Sequence, residues 1–291
     1  SWCSFPDPHL PLAPPAPYCD MYDPADVRLP ARRKGEIDDL PPIYRQVVEG
    51  KIRPNGTKHV ELSDAQYREM IALNYGMITH VDAEIGRVMA ALRECGLEEN
   101  TLVLFTSDHG DMMGDHGLLW KAFYTFRGCI RVPFIVKAPG ITGGRPCDAL
   151  VSQVDLLPSL LDFSGVEEPG AGWEKRKTSF DRGAVTPLSL RPGRSWSGLL
   201  DGSVPSIRSS VVIENAEMTT GLHVRSLVTQ THRISIYPGE GDGEFFDLAH
   251  DPDELQNLWH SQPALRDALI RTLLDEYSLH TPSYPVPAWN A

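Results

Sequence analysis

The sequence predicts an α/β fold extended by a small antiparallel sheet with a packed helix, and three observations support this prediction. A long helical pattern is followed by two apolar strand-like segments and a shorter helix. Four further strand-like segments come next, joined by turns, and a last helical pattern lies near the end of the chain. We therefore expect an α/β domain over 1–206 and a small α+β domain over 207–291.

The first long helix is predicted over residues 63–95, where apolar residues recur at helical spacing. Ser63 and Gln66 fit the S-x-x-Q capping box found at many helix starts. Gly96 follows, and glycine is the usual residue just beyond a helix end. The pattern therefore defines both ends of this helix.

Two apolar segments, 101–105 (TLVLF) and 131–139 (RVPFIVKAP), are predicted to be strands. Their polar residues lie mainly at the ends, which is typical of a sheet covered on both faces. A short helix is predicted near 155–163, within VSQVDLLPSLLDFSG. The stretch 164–206 has several glycines and prolines and no clear period, so we interpret it as a connector.

The C-terminal part is predicted to form an antiparallel meander of four short strands, in SSVVIEN, VRSLVTQ, HRISIYP and EFFDL. A helix follows over roughly 262–279. Its apolar face consists of Leu265, Leu269, Ile270, Leu273, Leu274 and Tyr277.

Residues 1–60 are rich in proline, which is excluded from central strands and helix interiors. We expect an ordered but irregular surface segment there rather than a linker, because it offers apolar anchors. These are Trp2, Phe5, Leu10, Leu12, Tyr18 and Tyr22.

Composition excludes several classes of protein. The net charge of −12 argues against nucleic acid or an anionic membrane surface as a partner. No apolar run approaches the ~18 residues of a spanning helix.

The chain starts with Ser1 and lacks a signal-peptide pattern, so we expect a processed product or a fragment. The five cysteines, an odd number without a CxxC spacing, favour a reducing compartment and hence a cytoplasmic location.

The stretch TSDHGDMMGD, 106–115, places charged side chains at the end of the first predicted strand. Ligands of open α/β sheets bind beyond the carboxyl ends of strands. The carboxylate of Asp108 and the imidazole of His109 could bind one cation, either a hard ion such as Ca²⁺ or Mg²⁺ or, given the imidazole, Mn²⁺ or Zn²⁺. From these two residues alone, a simple capped turn remains an alternative.

Residues 107–140 as a whole resemble the sulfatase family of the alkaline phosphatase superfamily. The resemblance lies in Ser107-Asp108-His109-Gly110, Gly114-Asp115-His116-Gly117, Lys121 and Arg131-Val132-Pro133. Three other segments are similar to family motifs: FPDPHLPLAPP (5–15), VDLLPSLLDFSG (154–165) and FFDLAHDPDELQNL (245–258).

The resemblance implies an alkaline-phosphatase-like sheet with helices on both faces, of which this chain supplies a part. It implies that Asp108 and His109 are metal ligands, with Ca²⁺ favoured and Mn²⁺ or Mg²⁺ as alternatives. Lys121 would contact the sulfate and the nucleophile, and His9 would bind the ester oxygen and assist the leaving group. Both are therefore expected catalytic and substrate-binding residues.

Other polar residues of this region are expected to be structural. Asp111 and Asp115 are interpreted as turn caps, His116 as a residue that holds the loop, and Arg131 as a structural residue paired with a carboxylate.

The family's nucleophile, a formylglycine made from C/S-x-P/A-x-R, has no matching motif here, and neither has its early pair of aspartates. We therefore expect residues 1–206 to be the C-terminal part of the sulfatase catalytic domain. Formylglycine is expected in a missing N-terminal segment, and the isolated chain is expected to be inactive. The stretch 166–197 matches no family feature.

The expected function is metal-dependent hydrolysis of a small-molecule or sugar sulfate ester. Two alternatives remain open: a phosphonate monoester or phosphodiester hydrolase of the same superfamily, and a non-catalytic truncated product. Expected protein partners are the missing N-terminal segment or a second copy of the chain.

Overall fold

The predicted helices and strands are all present in the predicted order. The computed structural model describes residues 1–141, 143–144, 146–166, 193–217 and 219–280. The helices are α1 Pro42–Val48, α2 Asp64–Glu94, α3 Arg127–Ile130, α4 Leu156–Phe163, α5 Ser197–Asp201 and α6 Pro263–His280. The strands are β1 Val103–Thr106, β2 Phe134–Lys137, β3 Ser210–Glu217, β4 Leu222–Thr229, β5 His232–Ile236 and β6 Gly243–Asp247. Helices α1, α3 and α5, all short, occur in addition to the predicted ones. Most of the unassigned stretch 166–197 lies outside the described residues.

The described residues form two units. The first contains the described parts of Ser1–Gly143, Asn215–His223 and Asp253–Asn257. The second contains those of Gly144–Glu214, Val224–Pro252 and Leu258–Ala291. The boundary expected between 206 and 207 stays a prediction. No helix in the described part of the chain combines the length and apolarity needed to cross a bilayer.

Helix α2 begins at the predicted capping box. The backbone N–H of Gln66 donates to Oγ of Ser63 at 3.4 Å, and Oε1 of Gln66 accepts from the backbone N–H of Ser63 at 2.9 Å. The helix ends at Glu94, and Gly96 turns the chain with a φ of +68°. Both predicted ends of the helix are therefore confirmed.

Strands β1 and β2 pair antiparallel, from Val103 opposite Lys137 to Thr106 opposite Phe134. Phe105 lies opposite Ile135, so the two side chains share a face. That face is exposed within this chain, since Phe105 is 37% and Ile135 62% accessible. The described chain therefore does not provide the expected cover on both faces of this pair.

The N-terminal segment is ordered by short 3₁₀ turns and by α1, which the sequence did not predict. Several predicted anchors are wrong: Trp2 is 86% accessible, and Leu10 and Tyr22 are also exposed. Burial falls instead on residues further along the chain, because α1 turns one apolar face inward. Tyr44 of this helix is buried and packs on an aromatic group, Phe123, Tyr124 and Phe126, with centroid separations of 5.2–5.8 Å.

In the second unit, the buried carboxylate of Asp155 lies just before α4. It accepts hydrogen bonds from the backbone N–H of Ser152 at 2.8 Å and of Arg194 at 2.7 Å. The guanidinium of Arg208 also binds it. One side chain thus ties α4 to the described end of the connector.

The predicted four-stranded meander is confirmed, with the order β3-β4-β5-β6. Helix α6 packs on one face through a core of Leu227, Ile234, Phe245, Trp259 and Leu273. A buried pair of Arg233 and Glu244 joins neighbouring strands β5 and β6.

We expect Ser63→Ala to lower the free energy of unfolding by about 1 kcal/mol, because an N-terminal N–H of α2 loses its acceptor. Denaturant titration measures this loss. Ser63→Asp keeps an acceptor and should stay close to the parent protein. Equal stability of all three proteins would contradict the capping role.

Candidate active site

The turn formed by residues 107–111 directly follows β1 and carries the predicted metal pair. Oδ1 of Asp108 accepts from the backbone N–H of His109 at 2.9 Å and lies 3.2 Å from Oγ of Ser107. The Ser107 hydroxyl also lies 2.9 Å from the carbonyl oxygen of His109. These local bonds fix the carboxylate of Asp108 by one of its two oxygens.

The imidazole of His109 is oriented by its own backbone neighbour. Nδ1 of His109 lies 2.9 Å from the carbonyl oxygen of Gly110, which can only accept, so in the neutral form of the ring Nδ1 carries the proton. Nε2 then carries the lone pair, as metal-binding histidines require. The side chains of Asp108 and His109 are 82% and 44% accessible.

Nε2 of His109 lies 3.5 Å from Oδ2 of Asp108. This separation exceeds an ordinary hydrogen bond of about 2.7–3.2 Å. It matches two adjacent ligands of a cation that each lie about 2.4 Å from the ion, roughly 3.4 Å apart. The spacing therefore suits shared ligation better than a direct bond between the two side chains.

Two other histidine–aspartate pairs show the contrast. His250 lies 2.9 Å from Asp247, and His260 lies 3.0 Å from Asp242, both within hydrogen-bond distance. In these pairs an imidazole nitrogen is engaged by the carboxylate itself.

The pair fits a divalent cation as two ligands of a larger set. A carboxylate oxygen and a neutral imidazole nitrogen suit Ca²⁺ only together with further oxygen donors. Within the residues that the structure describes, no group of three or more His, Cys, Asp or Glu side chains could hold a metal ion.

Hydrogen bonds also tune the carboxylate of Asp108. Partial burial disfavours the charged form of the carboxylate. The hydrogen bonds from the backbone N–H of His109 and from Ser107, and the positive charge of a protonated His109, together outweigh this effect. They hold the pKa of Asp108 below its usual value, so the group is ready to bind a cation.

The 107–111 turn is pinned against α3. The backbone N–H of Gly110 donates to the carbonyl oxygen of Cys129 at 2.8 Å. A Cβ on Gly110 would lie 1.9 Å from the carbonyl oxygen of Gly128, so only glycine fits. On the other side, a Cβ on Gly128 would lie 2.7 Å from Oδ2 of Asp115.

Asp111 was expected only to cap a turn, but its surroundings connect it with the predicted site residues. Its Oδ1 is buried and has no hydrogen-bond partner within the described residues. Burial raises the pKa of the Asp111 carboxyl, and the charges of Lys121 and His109 act against that rise. His9 acts in the same direction. The charges of Lys121, His109 and His9 thus all act on the carboxyl of Asp111. The sequence does not show this, because an aspartate in a turn looks the same whatever lies around it.

A local hydrogen bond orients His9, and the backbone on either side of Lys121 has defined features. Nδ1 of His9 lies 2.9 Å from the carbonyl oxygen of Leu10, which leaves Nε2 as the outer nitrogen. Lys121 follows Trp120, whose φ of +67° is unusual for a bulky residue. The next carbonyl, of Ala122, accepts from Nδ2 of Asn215 at 2.5 Å.

His116 and Arg131 differ in their surroundings. His116 is buried, stacks on Phe126 with a centroid separation of 3.9 Å, and places Nδ1 3.8 Å from Oε2 of Glu36. This supports the structural role expected of it. Arg131 is exposed.

Asp115 is half-buried beside other carboxylates. Burial raises the pKa of Asp115, the charge of His116 opposes the rise, and Asp253 and Glu254 add to it. The folded state therefore binds the Asp115 proton more tightly than the unfolded chain does. Ionisation as the pH rises through the folded pKa costs stability.

We expect Asp115→Asn to raise the melting temperature at pH 7 by roughly 2 °C, because asparagine mimics the neutral acid. The gain should vanish near about pH 3, where the carboxyl is protonated in both states. Calorimetry over this pH range tests the expectation. A gain that does not change with pH would contradict it.

We expect Gly110→Ala to lower the free energy of unfolding by about 1–3 kcal/mol, because the new methyl group meets backbone. The matched control is Gly86→Ala in α2, where a Cβ meets no atom within 4 Å. That change should stabilise by about 0.5–1 kcal/mol. Equal effects of the two substitutions would show that the close approach at Gly110 is unimportant.

Comparison with known proteins identifies the family. The family model described as Sulfatase matches residues 2–166. An arylsulfatase of Clostridium perfringens is 33% identical over 285 residues, which cover 93% of this chain and 52% of that protein. The chain thus spans about half the length of this curated relative.

Solved structures agree. The phosphonate monoester hydrolase SpPMH from Silicibacter pomeroyi superposes with a TM-score of 0.76 at 27% identity, over 94% of this chain and 55% of that chain. A 2-O GAG sulfatase superposes with a TM-score of 0.68 at 26% identity, over 87% and 52%. The predicted alkaline-phosphatase-like α/β fold is confirmed by these neighbours, and the chain belongs to the sulfatase family.

Proposed function

We propose that this chain forms part of a metal-dependent sulfuric ester hydrolase. The observation that carries the proposal is the arrangement around the 107–111 turn. There, Oδ2 of Asp108 and Nε2 of His109 lie 3.5 Å apart, and the charges of Lys121 and His9 both act to lower the pKa of Asp111. Membership of the sulfatase family supports it.

Lys121 is proposed to bind the sulfate group. Charge on the sulfate oxygens and on the bridging oxygen is redistributed as the S–O bond breaks. An ammonium placed at those oxygens stabilises the anionic transition state without moving a proton. The charge of Lys121 opposes the rise in the pKa of Asp111, which supports a role for this ammonium near the 107–111 turn.

His9 is proposed to assist the leaving group. Its Nδ1 is engaged by the carbonyl of Leu10, so Nε2 is the atom that can hold a proton for the departing oxygen. The position in a proline-rich turn restricts the backbone, which limits the directions open to the ring.

Asp108 and His109 are proposed to hold the metal. Ca²⁺ is favoured by the carboxylate donor, with Mn²⁺ or Mg²⁺ as alternatives, and the imidazole does not exclude them. A bound divalent cation would supply Lewis-acid stabilisation of the sulfate oxygens.

The attacking group is proposed to lie outside this chain. The sequence contains no C/S-x-P/A-x-R motif, and the chain matches only 52% of the arylsulfatase relative. We therefore infer that a preceding segment of a longer protein supplies formylglycine and an early aspartate pair. The isolated chain is proposed to be inactive, with that segment as its partner.

The proposed substrate is a sulfate ester of a small molecule or sugar. The rival with direct support is a phosphonate monoester hydrolase, since a structure of that description superposes with a TM-score of 0.76. The same positive groups would serve either anion. A phosphodiester hydrolase, a non-catalytic product and assembly of two copies remain further alternatives, and the cytoplasmic location stays a prediction.

The test uses the longer protein that contains this chain and the segment before it. We expect it to hydrolyse an aryl sulfate faster than a phenylphosphonate ester, with activity lost on chelation. Lys121→Ala should lower kcat/KM by about 10²–10³, as loss of one oxyanion donor does. Lys51→Ala is a matched control, because Lys51 forms an exposed surface pair with Glu49.

Three results would decide against the proposal. The first is faster turnover of the phosphonate ester, which favours the rival. The second is normal activity of Lys121→Ala. The third is turnover by the isolated chain that Lys121→Ala abolishes, which would place an attacking group within these 291 residues.

A further inference from the structure

The segment FFDLAHDPDELQNL lies far in sequence from the 107–111 turn, and the proposed function assigns it no role. We propose that Glu254, within this segment, is a positioning residue that holds the metal-pair turn in place through α3. The inference rests on the proposed function only in treating Asp108 and His109 as the site that needs positioning.

Glu254 is buried and adopts a strained backbone conformation. Its φ is +55°, in the left-handed region that glutamate seldom occupies. Such strain persists only where the surrounding structure holds the residue firmly. The carboxylate of Glu254 accepts from the backbone N–H of Arg127, the first residue of α3, at 2.7 Å.

From Arg127 a short series of contacts leads to the metal pair. The carbonyl oxygen of Cys129, within α3, accepts from the backbone N–H of Gly110 at 2.8 Å. The carbonyl oxygen of Gly110 in turn accepts from Nδ1 of His109 at 2.9 Å. A displacement of α3 is therefore passed directly to the imidazole ring.

The backbones of α3 and of the 107–111 turn lie too close together for α3 to move towards the turn without moving it. A Cβ on Gly110 would lie 1.9 Å from the carbonyl oxygen of Gly128, so the two backbones are already at contact. Glu254 thus acts on the turn through rigid backbone rather than through flexible side chains.

Two neighbours fix Glu254 itself. The carbonyl oxygen of Leu255 accepts from Nε of Arg33 at 3.1 Å. Nδ2 of Asn257 donates to the carbonyl oxygen of Asp39 at 2.8 Å. Residues 253–257 therefore connect the 33–39 segment with the start of α3, all within the first unit.

The experiment is amide hydrogen exchange on this chain, read residue by residue. Glu254→Ala should speed exchange of the Gly110 and Arg127 amides about tenfold or more, while amides of α2 and of β5 stay unchanged. Glu254→Gln retains an acceptor oxygen and should restore most of the protection.

The matched control is Glu217→Ala. Glu217 is also buried in the first unit and also accepts backbone N–H groups, from Thr219 at 3.2 Å and Thr220 at 2.7 Å. These partners, Thr219 and Thr220, lie outside α3, so the loss of Glu217 should leave the Gly110 amide unchanged. If Glu254→Ala fails to fold, Glu254→Gln decides the question, because its neutral and weaker acceptor should still leave a small rise in exchange that is confined to the Gly110 and Arg127 amides.

A uniform rise at all amides, or no change at Gly110, would overturn the inference and leave Glu254 a general stabiliser. A second measurement in the longer protein separates this outcome from failure of the proposed function. There, Glu254→Ala should raise the Ca²⁺ concentration needed for half-maximal activity about 10–100-fold, with rescue at high Ca²⁺. Absent sulfatase activity in the parent protein, with selective exchange at Gly110, would reject the function and keep the positioning role.

Discussion

The hydrogen bond from Gly110 to the carbonyl oxygen of Cys129 holds the candidate site together. It fixes the turn that follows β1 to the short helix α3, and the close contact between Gly110 and Gly128 leaves no room for a side chain at position 110. The imidazole of His109 is oriented by the carbonyl of that same Gly110. The geometry of the proposed metal pair therefore depends on backbone contacts, which can shift less than side-chain contacts can.

This dependence explains what the sequence could predict and what it could not. Helix α2, its capping box and the C-terminal meander follow local rules of period and turn chemistry, and they are confirmed. The family motifs locate the 107–111 turn because glycine and charged residues recur there at fixed spacing. The burial of Oδ1 of Asp111 and the hydrogen bond between Glu254 and Arg127 depend on contacts across the fold. No local pattern reports such contacts. The burial of α1 was missed for the same reason, since its partners are aromatic residues about 80 positions later in the chain.

The charge of the site differs from that of the whole chain. The protein carries a net charge of −12, yet His9, His109 and Lys121 all act on one carboxylate near the turn. Local charge, with a cation at Asp108 and His109, would determine which anion binds. A sulfate and a phosphonate monoester present similar oxygens, which is consistent with the similarity of this chain to both kinds of hydrolase. Two candidate ligands and the absence of the nucleophile motif are consistent with the proposal that a further segment completes the site.

Paramagnetic line broadening by Mn²⁺ offers a direct measurement on the isolated chain labelled with ¹⁵N. Two other pairs of the chain could compete for Mn²⁺ and serve as internal controls. In these pairs, Asp247–His250 and Asp242–His260, the side chains lie closer together than those of Asp108 and His109. We predict that the amides of residues 108–111 broaden first and that Asp108→Ala removes the effect. Broadening centred on either competing pair, with the 107–111 turn unaffected, would contradict the assignment of the metal site.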